Sequence, residues 1–415
     1  MKKRRVVVTG LGAITPIGNN VNDFWSNLVA GKNGVELISK FNTSKFDTKF
    51  AAEVRGFDPS SLFDKKALRR IDTFAQYALY TANEAILDSA INFEQIDKNR
   101  FGVIYGSGIG GIKSFEEQNK LYFQTDDPSK ISPFLITMFI ADIAAGLISI
   151  KYGLKGPNYS TTSACATASH AIADAMMNIE RGNADIILTG GSEASITEIS
   201  IGGFGAMRAL STWNDRYKEA SRPFDKDRSG FVMGEGSGTL ILEELEHAKN
   251  RGAKIYAELS GIGLTADAHH ITAPDPEGDG AVRSMMLSIT DAEISVNDID
   301  YINAHGTSTP YNDVTETKAI KKVFQNHAYD LVVSSIKSMT GHLLGAAGGV
   351  EAIATILAVK NDIVPPTINL DNPDPECDLN YSPNKFTAKK INAAICNTFG
   401  FGGHNASLLF TKYRD

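Results

Sequence analysis

Two hydrophobic rhythms alternate along this chain. Short apolar runs bounded by glycine or polar residues read as buried strands, at 6–8, 101–105, 186–189, 238–242, 299–304, 331–334 and 393–396. Longer stretches with apolar residues at helical spacing read as helices, at 72–88, 167–181, 314–324 and 348–360. Several of these helices are built mainly of Ala, Gly, Ser and Met, the composition of a helix buried on all sides between two sheets. Strands and helices alternate, which predicts a layered α/β fold. The pattern also repeats. Residues 5–12 form a strand ending in Gly10-Leu11-Gly12, and residues 257–264 repeat that form with Gly261-Ile262-Gly263. Each is followed by a further strand, a corner of small polar residues and a Gly/Ala-rich helix. Two similar halves are predicted, 1–252 and 253–415, meeting near 251–256.

Other segments refine this outline. Residues 41–64 have mixed polarity and read as an insertion or cap, and 371–375 (Asp-Asn-Pro-Asp-Pro) reads as a surface turn. The apolar run 134–150 contains Asp142 and Gly146, so it reads as an interior or interface helix. No run approaches the roughly 18 apolar residues of a membrane span. Met1-Lys2-Lys3-Arg4-Arg5 ahead of Val6 has the start of a signal peptide, but Gly10, Gly12, Pro16 and Gly18 break the apolar run, and a buried first strand is expected.

Composition narrows the function. At 415 residues and 42% hydrophobic, the chain can bury a large core, in one big domain or two fused ones. A net charge of −7 argues against a nucleic-acid-binding surface. Cys165, Cys377 and Cys396 show neither a disulfide framework nor the spacing of a zinc site. Reduced thiols in the cytoplasm are expected, with no metal and no cofactor.

The chemistry concentrates at three corners. Cys165 sits in Ser163-Ala164-Cys165-Ala166-Thr167, just before an amphipathic run. A thiol at a helix start meets peptide dipoles and free N–H groups, which favour the thiolate. A thiolate attacks thioesters, so the position suits a covalent acyl-enzyme. His305 follows an apolar strand in Asn303-Ala304-His305-Gly306-Thr307-Ser308-Thr309, and His342 ends Lys337-Ser338-Met339-Thr340-Gly341-His342. A lone cysteine is usually a small core residue. A cysteine and two histidines, all at strand-to-helix corners, are hard to explain as packing.

With these residues the chain resembles the β-ketoacyl-acyl-carrier-protein synthases, closest to the type II condensing enzymes of fatty acid synthesis, from end to end. The motifs quoted above carry the likeness, together with Gly106-Ser107-Gly108-Ile109-Gly110-Gly111, Arg222-Pro223-Phe224-Asp225 and Gly400-Phe401-Gly402-Gly403. The resemblance implies the duplicated five-layer α-β-α-β-α thiolase-like fold. It implies that Cys165 takes an acyl chain as a thioester, and that His305 and His342 stabilise the enolate formed as malonyl-carrier protein loses carbon dioxide. Backbone N–H groups at Cys165 and Phe401 are implied as the oxyanion hole, with Phe401 also a gate. Lys337 and Glu351 match a family pair, read here as ordering His342. Thr307 and Thr309 match hydroxyls that bind the pantetheine arm, and Ile109, Phe134 and Phe204 match positions at the acyl tunnel. His342 in place of Asn sets the chain apart from initiating synthases, and the lack of a second reactive cysteine corner sets it apart from thiolases. Ala168 and Ser163 depart from the common Gly and Thr. His404 reads as structural, and His269 and His270 as solvated.

The implied partners are acyl-carrier protein and a second copy of the chain, with no nucleic acid and no membrane. The carrier is acidic, and Lys65, Lys66, Arg69 and Arg70 match the family's docking patch, with Lys130 and Arg208 as further candidates. On a helix, Lys65 with Arg69 and Lys66 with Arg70 stand at the i,i+4 spacing where like charges repel, which a polyanion would relieve. A polyketide-type or type I ketosynthase is the alternative. A non-catalytic partner of the chain-length-factor kind is disfavoured, because Cys165, His305 and His342 are all present.

Overall fold

The computed structural model describes residues 4–414, so Met1, Lys2 and Lys3 of the basic start lie outside the described residues. Ten strands form one mixed sheet. They are β1 (Val6–Ile14), β2 (Phe101–Gly106), β3 (Asn158–Tyr159), β4 (Ile186–Glu193) and β5 (Gly236–Glu244). Then come β6 (Ala257–Ala266), β7 (Tyr301–Asn303), β8 (Val332–Ser334), β9 (Ala393–Gly400) and β10 (His404–Thr411). The order across the sheet is β8-β7-β9-β10-β6-β1-β5-β4-β2-β3. Read outward from the centre, one half runs 1-5-4-2-3 and the other 6-10-9-7-8, the same order shifted by five. Directions match as well. β2 lies parallel to β3 and β4, and β7 parallel to β8 and β9. β5 and β10 are antiparallel to both their neighbours.

The halves meet where Val6–Val8 pair with Ala257–Leu259, a short contact in which β1 and β6 cross. Six helices complete the layers: α1 (Thr73–Ser89), α2 (Ile143–Tyr152), α3 (Thr167–Glu180), α4 (Asp279–Asp291), α5 (Pro310–Phe324) and α6 (Ala347–Asn361). α1 and α2 cover the outer face of the first half, and α4 with α5 that of the second. α3 and α6 pack on each other between the two half-sheets. In α6 every residue from Ala347 to Val359 is buried, as its all-round apolar composition predicts.

The repeated Gly-x-Gly has a packing cause. A Cβ on Gly10 or Gly12 would stand 2.3 Å from Ala85 O or 2.0 Å from Thr81 O of α1. On Gly261 or Gly263 it would stand 2.1 Å from Ser288 O or 1.9 Å from Ser284 O of α4. In each half a helix lies directly on strand backbone, which only glycine permits.

Two expectations need correction. The apolar run 134–150 is two helices, Leu135–Phe139 and α2, not one. The break leaves Phe139 O free to accept Gly111 N–H at 3.0 Å. Of the two readings of this run, interior or interface, Ile136 and Ile150 do not fit the first, since both are exposed. The helix expected at 314–324 starts earlier, with Pro310 in its first turn, where a missing N–H is harmless. Residues 41–64 do form a largely irregular cap, in which Phe50–Ala51 pairs with Glu36–Leu37.

Candidate active site

Cys165 lies in a 3-10 turn, Ala164–Ala166, that leads into α3. The turn is held under strain, with Ala164 at φ +50. Thr167 Oγ1 ties it down, accepting Ser163 N–H at 2.9 Å and donating to Ala164 O at 2.7 Å. Ser163 Oγ pairs with His170 Nδ1 at 2.7 Å. The end of β9 closes over the turn, where a Cβ on Gly400 would sit 3.1 Å from Cys165 N. Phe401 therefore follows at the cysteine, and its backbone N–H bonds the thiol.

The ionisation differs from the reading of an activated thiolate. Burial pushes the Cys165 thiol up to about 11, while the charge of Lys337 and the Phe401 N–H pull it down. Desolvation is the largest influence on this nearly buried sulfur. The resting nucleophile is a neutral thiol.

The histidines come from the other half. His305 follows β7, and its corner is fixed by Glu316 on α5. One carboxylate oxygen accepts His305 N–H at 2.9 Å, and the other accepts Gly306 N–H at 2.8 Å. Burial pushes Glu316 up to about 7 against those two hydrogen bonds. His342 is set by backbone pairing: its N–H donates to Val232 O at 2.7 Å and its carbonyl accepts Gly234 N–H at 2.8 Å. The two rings meet edge to face at 5.4 Å. Burial holds both well below the usual histidine range, helped by the Lys337 charge, so both are neutral. Among the described residues neither Nδ1 has a hydrogen-bond partner.

Lys337 is buried with Glu351, and its ammonium donates to the Glu351 carboxylate. Its second contact is His305 O at 2.5 Å. Its hydrogen bond therefore goes to the His305 corner, while its charge acts on His342 as well as on His305. Burial raises Glu351 while Lys337 pulls it back.

One cavity of about 490 Å³ brings these groups together. Cys165, His305 and His342 line it with Phe401, Thr307 and Thr309. Ile109, Phe204 and Arg208 line it too, and Arg208 is exposed at its edge. Thr307 and Thr309 share a hydroxyl hydrogen bond at 2.9 Å. Phe204 packs between Phe231 at 5.5 Å and Phe401 at 6.4 Å, and Ile109 and Leu344 join the same apolar cluster. Gly402 and Gly403, at φ +85 and +72, carry the turn after Phe401. Gly402 N–H donates to Ile271 O at 2.8 Å.

Phe134 is not in this cavity. It lies under the Arg70 guanidinium at 4.4 Å, in a separate cleft of about 440 Å³ lined by Lys65, Lys66, Arg69, Arg70, Ser132 and Pro133. The four cations are exposed, but the helix beneath them ends at Leu68, so the expected i,i+4 pairing along one helix does not form. Lys130 is exposed in the turn Pro128–Lys130. His404 packs on the gate turn, edge-on to His170 at 6.3 Å. His270 Nδ1 accepts from Thr272 and Ala273 N–H, and Cys377 and Cys396 are buried away from the cavity.

Sequence reasoning missed Glu316 and Glu193. A signal for Glu316 existed, since it shares the buried stripe of α5 with Asp313, Ile320 and Val323. Glu193 carried a weaker one, an acid ending a strand that opens on Ile186, Ile187 and Leu188.

Comparison with known proteins agrees with this fold. Residues 3–248 match the family model for the beta-ketoacyl synthase N-terminal domain, and 256–371 that for the C-terminal domain. A 3-oxoacyl-(acyl-carrier-protein) synthase 2 from Synechocystis sp. is 52% identical, over 100% of this chain and 99% of its own. A solved beta-ketoacyl synthase from Burkholderia phymatum superposes at a TM-score of 0.92 with 35% identity, covering 99% of this chain and 100% of that one. A type II polyketide ketosynthase, solved in complex with its acyl-carrier protein, gives 0.92 and 36%, covering 100% of both chains. The layers are those of a thiolase-like condensing enzyme. The chain belongs to the beta-ketoacyl synthase family, and it is an acyltransferase that makes 3-oxoacyl products.

Proposed function

We propose that this enzyme elongates fatty acyl chains in the cytoplasm by decarboxylating condensation on acyl-carrier protein. The observation that carries the reading is the single cavity shared by Cys165, His305 and His342. First, Cys165 exchanges its thiol proton for the acyl group of an acyl-carrier thioester, and the carrier leaves as its free thiol. The proton that Cys165 gives up ends on the departing carrier sulfur. Malonyl-carrier protein then enters. Breaking its carboxylate bond releases carbon dioxide and leaves an enolate, whose oxygen receives N–H hydrogen bonds from His305 and His342. Neutral rings keep their N–H without adding a second positive charge beside Lys337. The enolate carbon attacks the acyl-Cys165 carbonyl, with the oxyanion facing Phe401 N–H. The tetrahedral intermediate expels the Cys165 thiolate, which takes a proton from solvent, and 3-oxoacyl-carrier protein departs.

In this reading Thr307 and Thr309 bind the pantetheine arm, and Ile109 and Phe204 line the acyl pocket with Phe401 as its gate. Acidic carrier protein docks on Lys65, Lys66, Arg69 and Arg70, with Lys130 and Arg208 beside it. The halves 1–252 and 253–415 act as one unit, since each supplies part of the chemistry. Two copies of the chain pair through β3. Of the two sheet edges, β8 is buried whereas Asn158 and Tyr159 of β3 are exposed, with exposed Ile136 and Ile150 on the same half.

The test is to mix the enzyme with acyl-carrier and malonyl-carrier proteins and follow intact masses. The expected result is an acyl adduct on Cys165, then 3-oxoacyl-carrier protein. Hydrolysis of the acyl group without a longer product would overturn the reading. Sedimentation at low ionic strength and low concentration tests the dimer.

A further inference from the structure

Glu193 ends β4, is fully buried and takes no part in the mechanism above. Its carboxylate is the junction of five hydrogen bonds. Oε2 accepts Gly108 N–H at 2.9 Å and Gly345 N–H at 3.0 Å. Oε1 accepts Ile109 N–H at 3.3 Å and the hydroxyls of Ser107 at 3.3 Å and Ser195 at 2.9 Å. Gly108 and Ile109 follow β2 in the first half. Gly345 lies in the turn Leu344–Ala346 of the second half, just beyond His342. All three line the cavity, although Glu193 itself does not.

The fit is close from both sides. A Cβ on Gly108 would stand 2.8 Å from Oε2, and one on Gly345 would stand 2.7 Å from Oε2 and 2.3 Å from Gly108 N. Two glycines thus let the walls close on the carboxylate. Burying a carboxylate is costly, and among the described residues Glu193 has no ion-pair partner. Burial pushes it up to about 7, and only the hydrogen bonds oppose this. A neutral side chain would fill the space at less cost, so the acid is retained for what it holds. Beyond it, Ile109 and Leu344 enter the apolar cluster of Phe204 and Phe231.

We propose that Glu193 is a positioning residue of the condensation: its carboxylate clamps the Gly108–Ile109 wall of one half to the Gly345 wall of the other, and this sets the width of the acyl end of the cavity and the chain length accepted. The inference rests on the reading of this cavity as the acyl-binding one.

Glu193→Gln keeps the shape but turns an amide NH2 toward backbone N–H donors, so one wall loses its acceptor. Glu193→Asp keeps the charge but is too short to reach both walls. Three activities are compared in full-length enzyme: condensation with a long acyl donor, condensation with a short one, and decarboxylation of a malonyl thioester with no acyl donor. For both variants KM for the long donor should shift by about tenfold, the effect of one lost hydrogen bond, while the other two activities stay within about twofold. Proportional loss of all three would mean a merely structural role and overturn the proposal. So would an unchanged ratio of long-donor to short-donor KM. If Glu193→Gln does not fold, Glu193→Asp reads the same ratio, and a wild-type ratio in that variant overturns the proposal equally. Wild-type enzyme that condenses no donor of either length would instead overturn the function itself.

Discussion

The two halves build the same corner and use it differently. Before α3 the chain makes a 3-10 turn at Ala164–Ala166, and before α6 it makes one at Leu344–Ala346. Each opens on a left-handed residue, Ala164 at φ +50 and Leu344 at φ +49. The next residue is Cys165 in one half and Gly345 in the other. What faces it also differs. Against Cys165 lies the end of β9, whose Phe401 offers an N–H to the sulfur. Against Gly345 lies the end of β4, where the Glu193 carboxylate takes up the N–H groups. Convergent N–H groups favour negative charge whatever its source. In one corner that charge is transient and belongs to the reaction. In the other the group that receives them is a side chain of the fold itself, so the corner has become a strut.

Cys165→Ala should have the largest effect, abolishing condensation while leaving malonyl decarboxylation, because the two steps belong to different halves. Carbon dioxide release and 3-oxoacyl product, measured side by side, check this. Loss of both would show that the corners do not divide the labour. His305→Ala and His342→Ala should each cost about 10²–10³ in condensation, the usual cost of a missing oxyanion donor, yet still load acyl onto Cys165. Intact mass after acyl-carrier treatment reads the loading, and full condensation in either variant would place the enolate elsewhere.

The third prediction sets burial against the helix end. With the thiol pushed up to about 11, the thiolate fraction grows with pH throughout the neutral range. Iodoacetamide should therefore label Cys165 about a hundredfold faster at about pH 9 than at about pH 7. A rate already level at neutral pH would mean that the peptide dipoles outweigh desolvation. Cys377, which burial pushes up to about 12, and Cys396 should lag behind, as peptide mapping will show. The smallest effect belongs to neither corner. Reversing charge at Lys65, Arg69 and Arg70 should raise KM for carrier-bound substrates by about tenfold, since each exposed pair contributes at most about 1 kcal/mol. Activity on small pantetheine thioesters should hold. Equal losses on both substrates would make the cluster part of the scaffold.

Much of this was legible in the chain. The duplicated Gly-x-Gly announced two similar halves, and the three reactive residues stood in recognisable corners. What escaped was decided through space. Lys337 is close in sequence to His342 but reaches His305, because the direction of its turn is not a sequence quantity. The Cys165 thiol is ruled by enclosure, which no local motif reports. Phe134 reads as tunnel wall until the fold sets it beneath Arg70. Glu193 shows only as an acid at the end of a buried strand, and its five donors come from three separate segments.

The central layer has a consequence for biosynthesis. α3 leaves the ribosome long before α6, the helix it must pack against. Until then the nascent first half displays a face rich in Ala, Ile and Met with nothing to cover it. Such faces are where partly made chains aggregate. The arrangement that joins thiol to imidazole thus leaves the first half dependent on the second for cover while that half is still unmade.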